Sequence, residues 1–203
     1  MDLRPFMERW HMLPPSGGVM LVAVSGGRDS VCLLHYLAAM PRDFIVAAAH
    51  LNHGQRPTAG RDVAFVEELC RELDVPLTVE RADVPALARE RGVGLEEAGR
   101  MARYDFFRRT ADRLGAQRIA TAHHAADQAE TVVLNLVRGT GMQGLAGIPP
   151  VRGRIVRPLL ETSREEIETY LETHRLSHVE DETNRDTALR RNLLRREVMP
   201  RLA

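Results

Sequence analysis

Residues 19–24 form an unbroken apolar run that leads directly into Ser25-Gly26-Gly27-Arg28-Asp29-Ser30, and helical apolar spacing begins at Ser30. A half-exposed strand alternates apolar with polar residues. A short uninterrupted run instead predicts a strand buried on both faces, as inside a parallel sheet. The succession recurs along the chain. Residues 44–49 and 76–80 read as strands around a helix at 60–73; residues 94–114 read as a long helix, 118–122 as a strand and 126–138 as a further helix. Strands alternating with helical patterns predict an α/β fold: an open, mostly parallel sheet with helices on both faces, Rossmann-like in form.

At the amino end, Leu3, Phe6, Met7 and Trp10 stand at three- and four-residue steps, which predicts a short amphipathic helix within residues 1–13. Pro14-Pro15-Ser16-Gly17-Gly18 ends it. Beyond Gly139 the periodicity weakens. Residues 139–153 read as a glycine- and proline-rich loop, 155–160 as a strand, and 163–174 as a helix opened by a capping pattern at Ser163 and Glu166. A polar loop is expected at 178–187 and a basic helix at 188–196, stopped by Pro200. With 203 residues and 44% hydrophobic content the chain reads as one domain, with residues 1–18 as helix and linker and 154–203 as its C-terminal part.

Formal net charge is zero, with 28 basic residues against 28 acidic, which excludes a globally basic nucleic-acid binder but not a locally basic one. Between positions 185 and 203, six arginines stand against Asp186 and Glu197, whereas 161–182 carries eight acids and two arginines. That separation suits phosphate-backbone contact beside an acidic pocket, and equally an ion-paired helix face. Every basic residue is Arg. The lack of Lys rules out the G-x-x-x-x-G-K-[ST] loop and Schiff-base chemistry. Cys32 and Cys70 lie inside apolar helical patterns and predict buried thiols. Asp2, Arg4, Glu8 and Arg9 interrupt the amino end, and no apolar stretch approaches the roughly 20 residues of a membrane span. A soluble, cytoplasmic protein that does not engage a membrane is expected.

The 25–30 loop falls where a buried strand gives way to a helix, the edge at which open α/β sheets bind ligands. Gly26 and Gly27 let backbone amides turn toward an anion, and the helix amino end favours phosphate. Ser25 and Ser30 add hydroxyls, Arg28 a guanidinium, and Asp29 a carboxylate suited to a magnesium ion that bridges phosphates. A plain capped turn is the alternative. Gly139-Thr140-Gly141-Met142-Gln143-Gly144 matches the dinucleotide fingerprint G-x-G-x-x-G, but it follows a helix and opens a loop, so the required context fails. It reads as a helix C-cap.

Two more loops should reach that edge. His50-Leu51-Asn52-His53-Gly54-Gln55-Arg56 follows the second strand and offers His50 and His53 to adenine, ribose or phosphate, or serves as a solvated loop. His123-His124-Ala125-Ala126-Asp127-Gln128-Ala129-Glu130-Thr131 follows the fourth strand; Asp127 and Glu130 share a helix face. A carboxylate there can serve magnesium, although acids are also common in a first helical turn. A zinc site is less well supported, because H-x-x-x-D lacks the H-E-x-x-H pattern. On the long helix, Leu95, Ala98, Ala102 and Phe106 make an apolar stripe, with Glu96, Arg100, Arg103 and Phe107 on a neighbouring face.

The loop string resembles the signature of the N-type ATP pyrophosphatases, which cleave ATP between the α and β phosphates and adenylate a substrate. The fuller pattern resembles the tRNA(Ile)-lysidine synthetase family. It adds the His50–Arg56 and Ala120–Thr131 strings, Glu97-Ala98-Gly99-Arg100-Met101-Ala102-Arg103-Tyr104, Arg138–Gly147, Arg157-Pro158-Leu159 and Ser163-Arg164-Glu165-Glu166-Ile167. Glu180–Asp186 and Arg191-Asn192-Leu193-Leu194-Arg195 complete it. The resemblance implies an adenine nucleotide alpha hydrolase-like sheet. It implies a ligase that adenylates the wobble cytidine of a CAU-anticodon tRNA(Ile) and joins it to L-lysine, releasing AMP and pyrophosphate. ATP and Mg2+ are the implied small partners, with a homodimer as the compatible assembly. The implied nucleotide contacts are the 25–30 loop with His50, His53 and His124. The implied catalytic residues are Asp29, Arg100, Arg103 and Asp127, with Asp29 and Asp127 serving the magnesium.

Two departures stand out. The family usually has two adjacent acids where this chain has Ala126-Asp127, and it commonly carries further C-terminal tRNA-binding domains beyond the point where this sequence stops. Within the same fold a tRNA thiolation enzyme is the runner-up, although such enzymes need cysteines placed otherwise than Cys32 and Cys70. A non-catalytic ATP-binding module is the reading from another class.

Overall fold

The computed structural model describes residues 1–53 and 59–179. The basic helix expected at 188–196, most of the polar loop at 178–187 and the Gly54-Gln55-Arg56 end of the second loop lie outside the described residues. The elements run α1 (Arg4–Arg9), β1 (Val19–Ala23), α2 (Arg28–Ala39), β2 (Ile45–Asn52), α3 (Ala59–Glu72), β3 (Leu77–Arg81), α4 (Val84–Arg91), α5 (Leu95–Leu114), β4 (Arg118–Ala120), α6 (Ala125–Val137), α7 (Met142–Leu145), β5 (Val151–Arg152), β6 (Ile155–Val156) and α8 (Arg164–Thr173). The six strands form one sheet in the order β3-β2-β1-β4-β6-β5. All neighbours pair in parallel except β5 and β6. The α/β fold expected from the alternating pattern is therefore present.

Strand periodicity assigns the two helical layers. Met20, Val22 and Val24 of the first strand segment join Val46 and Ala48 in a core with Val31, Leu34 and Leu37 of α2 and Ile167 and Leu171 of α8. Leu21 points the other way and joins Ala47, Ala49 and Leu51 against Phe106, Phe107 and Ala111 of α5. Small alanines on β2 let the phenylalanines of α5 approach the sheet closely. Burial on both faces accounts for the unbroken apolar runs.

Several boundaries differ from the sequence expectation, each for a local reason. The amino-terminal helix shortens to Arg4–Arg9, burying Leu3, Phe6 and Met7 and leaving Trp10 exposed. Helix α4 was not expected at all. Its start signals are present, since Asp83 caps Ala86 N at 2.9 Å and Pro85 sits in the first turn, but only Val84 and Ala88 are buried. Two buried residues give too short a period to read. The strand expected at 155–160 ends at Val156, because Pro158 lacks the amide a ladder requires and the chain turns, with Leu160 N donating to Arg157 O at 3.2 Å. The 139–153 loop holds the single turn α7 and then β5, which returns as β6 through Gly153 in left-handed backbone, φ +60°. The single turn α7 overlaps the second half of the glycine motif, and the motif begins at the end of α6, with Gly139 at φ +74° as the helix stop.

Cys32 and Cys70 are free, buried thiols. Burial, with the Asp29 charge adding to it, pushes the Cys32 thiol up to about 12, and burial pushes Cys70 up to about 11. Among the described residues no helix is long and apolar enough to cross a membrane. On α5 the buried set is Ala98, Gly99, Phe106, Phe107, Thr110 and Ala111. Phe107 thus belongs to the core, while Leu95 is 56% exposed. Phe106→Ala should cost about 3–5 kcal/mol and Leu95→Ala within about 0.5 kcal/mol, read as shifts of the urea midpoint.

Candidate active site at the carboxyl edge of the sheet

Strand β1 connects through α2 to β2 on one side, and β4 lies on its other side. The carboxyl ends of β1 and β4 therefore flank the point where the strand order reverses, the place open α/β sheets keep for ligands. The chain leaves β1 under restraint. Val24 N donates to Ala49 O at 2.9 Å, and Val24 O is bonded by the Nδ1 of His50 at 2.9 Å. A carbonyl only accepts, so that nitrogen carries the proton. His50 is thus a buried brace beneath the loop, which the sequence could not distinguish from a loop ligand.

The 25–30 loop closes on itself. Ser30 Oγ donates to Gly27 O at 2.8 Å and accepts from Ser25 N at 3.2 Å. Ser30 has spent its one hydroxyl proton, so Ser25 Oγ donates to it at 3.1 Å and accepts from Gly27 N at 3.2 Å. Gly26 takes φ +89°, which an L side chain rarely adopts, and its carbonyl accepts from Val179 N at 2.9 Å. Gly27 is the N-cap of α2 and supplies no side-chain cap, so the positive end of a 12-residue helix faces the crevice. Arg28 turns aside: its NH1 donates to Glu168 of α8 at 2.7 Å, and its Nε lies 3.4 Å from Asp29.

His124 joins the two strand ends. It is the N-cap of α6, where its Nδ1 accepts from Ala126 N at 3.2 Å while Asp127 Oδ2 accepts from His124 N at 3.1 Å, a reciprocal capping box. Because Nδ1 accepts, the ring proton sits on Nε2 in the neutral form. That Nε2 lies 3.7 Å from Asp29 Oδ2 and 3.7 Å from Asp127 Oδ2. Asp29 and Asp127, a hundred residues apart in sequence, thus face one buried imidazole. Glu130, one turn further along α6, is buried as well. Among the described residues no group of three or more His, Cys, Asp or Glu side chains forms a metal cage. Two partly exposed carboxylates on facing loops do fit magnesium, which binds through one or two carboxylates together with phosphates and water. Asp29 and Asp127 are the residues that would hold it.

The remaining sequence candidates gather on the α5 side of the crevice. The helix runs back against the strands, so its amino half lies at their carboxyl edge. The His53 ring rests beside Gly99, where a Cβ would lie in ordinary contact 3.7 Å from His53 Nδ1. Arg103 NH2 reaches His53 Nε2 at 3.5 Å. Arg100 pairs with Glu97 at 3.3 Å and lies over the Tyr104 ring, 5.7 Å from its centroid. Arg103 has much of its side chain exposed, yet desolvation around the guanidinium, with Arg100 repulsion opposing Tyr104, draws its proton affinity down. It remains a cation at neutral pH. Arg157, which sequence reasoning used only as part of a motif, is buried at this edge with 5% exposure. An arginine after a strand normally reads as exposed, and no pattern in the sequence marks it otherwise.

Burial also holds His50 below its ordinary pKa of 6.5, and burial together with His174 does the same for His35. The unfolded chain then binds more protons just below pH 6.5, so this contribution to stability is complete above 6.5 and is lost as pH falls toward the folded-state values. The urea midpoint should drop between pH 7.5 and 5.5, and His50→Asn should remove part of that drop.

Comparison with known proteins agrees with this geometry. The family model for the PP-loop domain matches residues 7–202. The tRNA(Ile)-lysidine synthase of Thermotoga maritima is 45% identical over 186 residues, covering 91% of this chain and 45% of that protein. That of Porphyromonas gingivalis is 47% identical over 186 residues, covering 91% of this chain and 40% of its own length. The chain thus spans less than half the length of these curated relatives. Among solved structures, the U34-tRNA thiolase NcsA from Methanococcus maripaludis superposes with a TM-score of 0.66 at 15% identity, over 88% of this chain and 66% of that one, a likeness of fold alone. With a glycine turn at φ +89°, an uncapped helix end and the family match along nearly its whole length, the chain belongs to the PP-loop domain family.

Proposed function

We propose that this protein converts the wobble cytidine of a CAU-anticodon tRNA(Ile) to lysidine at the expense of ATP. The observation that carries the reading is the meeting of Asp29 and Asp127 across His124 Nε2, at 3.7 Å each, beside an uncapped helix end. The relatives' names supply the acceptor. In the first step the C2 carbonyl oxygen of the cytidine attacks the α-phosphorus, the bond to the bridging oxygen of the β-phosphate breaks, and pyrophosphate leaves. In the second the lysine ε-amine attacks C2 and loses a proton, and the C2–oxygen bond breaks to release AMP.

The chain's own residues take distinct parts. The amino end of α2 binds phosphate oxygens through backbone amides, while the two serine hydroxyls hold the 25–30 loop in shape. Asp29 and Asp127 would hold a magnesium ion, which would supply neutralising charge to the phosphates. Asp127 is also assigned the proton of the attacking amine, and His124 Nε2 lies 3.7 Å from both carboxylates. Arg100 and Arg103, on the amino half of α5, are assigned to phosphate as cations. His53, packed on α5, borders the same space. The reading carries with it a cytoplasmic location and, as assembly, the homodimer expected above, which equilibrium sedimentation tests.

Thiolation within the same fold is disfavoured by the cysteines. A persulfide carrier reacts as a thiolate, whereas both thiols are buried and pushed up to about 12 and about 11. The deciding assay supplies the full-length protein with ATP, labelled lysine and a CAU-anticodon tRNA. Lysine should enter the RNA with stoichiometric pyrophosphate and AMP. Asp29→Ala and Asp127→Ala should each lower incorporation ~100-fold or more. Near-wild-type rates in either variant would remove that residue from the mechanism, and ATP retention without turnover would favour the non-catalytic module.

A further inference from the structure

Arg28 and Arg164 are the first residues of α2 and α8. A cation is poorly placed there, because the amino end of a helix is itself positive. Both arginines converge on one oxygen. Arg28 NH1 donates to Glu168 Oε1 at 2.7 Å across the helix pair, and Arg164 Nε donates to the same oxygen at 2.9 Å. Arg28 has a second carboxylate beside it in the chain. Its Nε lies 3.4 Å from Asp29 Oδ1, well beyond the roughly 2.7–2.9 Å of a charge-assisted hydrogen bond.

The other oxygen of Asp29, Oδ2, lies 3.7 Å from His124 Nε2. Among the described residues Asp29 thus stands between a guanidinium and an imidazole and is in close contact with neither. The distribution is the reverse of what exposure alone would favour. Glu168, with 43% of its side chain exposed, holds two guanidinium groups at short range, while Asp29, 31% exposed, holds none. Two carboxylates compete for Arg28, and Glu168 has it. A guanidinium closed on Asp29 as a planar fork would cover its lone pairs and cancel its charge. Magnesium needs both, since it binds proteins through only one or two carboxylates.

We propose that Glu168 is a positioning residue for the metal: by holding Arg28 against α8, it keeps the Asp29 carboxylate open to magnesium. The role requires no contact between Glu168 and ATP or metal, because Glu168 acts only through Arg28. It rests on the assignment of magnesium to Asp29 and Asp127 made above, and it holds whatever acceptor the nucleotide activates.

The test measures the dissociation constant for ATP by calorimetry, once in excess magnesium and once in EDTA. It compares the full-length wild type with Glu168→Gln, Arg28→Met, the Arg28→Met/Glu168→Gln pair and Asp29→Ala. The ratio of the two constants is the gain that magnesium brings. Simple loosening of α8 from α2 would weaken both constants together and leave that ratio unmoved. Glu168→Gln, at an exposed position, should lower the gain about three- to tenfold with the thermal midpoint nearly unchanged. In the Arg28→Met background the same substitution should cost nothing, because the competing cation is gone. Equal losses in the two backgrounds would mean that Glu168 acts by its own charge, and would overturn the proposal. So would an Arg28→Met protein whose metal-free constant weakens, since Arg28 would then serve the phosphates directly. If Asp29→Ala keeps the full gain, the magnesium assignment falls and the role of Glu168 falls with it. If Asp29→Ala loses the gain while Glu168→Gln keeps it, the role of Glu168 falls alone.

Discussion

The site depends on how the chain is held at Val24. Its amide bonds Ala49 O and its carbonyl takes the Nδ1 proton of His50, each at 2.9 Å, so both of its backbone groups are tied to β2. The next residue has no ladder partner and must leave the sheet. Gly26 makes the turn at φ +89°, and Gly27 starts α2 without a side-chain cap. Fixing Val24 therefore fixes where helical amides meet the crevice, and the two-faced burial of β1 keeps that point rigid. Burial holds His50 below its ordinary pKa, so the brace is neutral at neutral pH.

Charge at the crevice is arranged in two halves. On the α2 and α6 side, Asp29 and Asp127 face a single imidazole, and the nearby Arg28 is drawn off to Glu168. On the α5 side, Arg100 lies over the Tyr104 ring and Arg103 reaches His53, with Arg157 buried at the same edge of the sheet. Arg28 is the arginine in the phosphate loop itself, yet its ion pair with α8 makes it chiefly a clamp between two helices. An acidic half and a basic half suit a reaction that must neutralise phosphates on one side and accept protons on the other.

Much of this was legible in the sequence where one force dominates. The run at 19–24 could be read because burial on both faces leaves no room for polar residues, and the glycines at 26 and 27 because they stand between that buried strand and a helix start. Asp127 was visible as an acid in a first turn. Its partner as N-cap is a histidine, a residue type not read as a cap, so the box with His124 was not. His50 looked like part of a loop because the apolar run weakens after Ala49, whereas pairing with β3 carries the strand on to Asn52. Arg157 was hidden for a related reason. Its burial comes from Pro149, Pro150 and Tyr104, groups brought to it by tertiary structure and by no local pattern.

The same geometry bears on Ala126, where the family resemblance implies an acid beside Asp127. Ala126 is the second residue of α6, and its amide is spent on His124 Nδ1. A side chain there would project about 100° around the helix from Asp127, so two adjacent acids could not both face Nε2. The carboxylate opposite Asp127 comes instead from Asp29, on another strand's loop. A site that draws its pair across the crevice needs only one acid from α6 to hold a cation between the loops. Alanine at 126 thus leaves the Asp29–His124–Asp127 arrangement whole, with its two carboxylates drawn from opposite sides of the crevice.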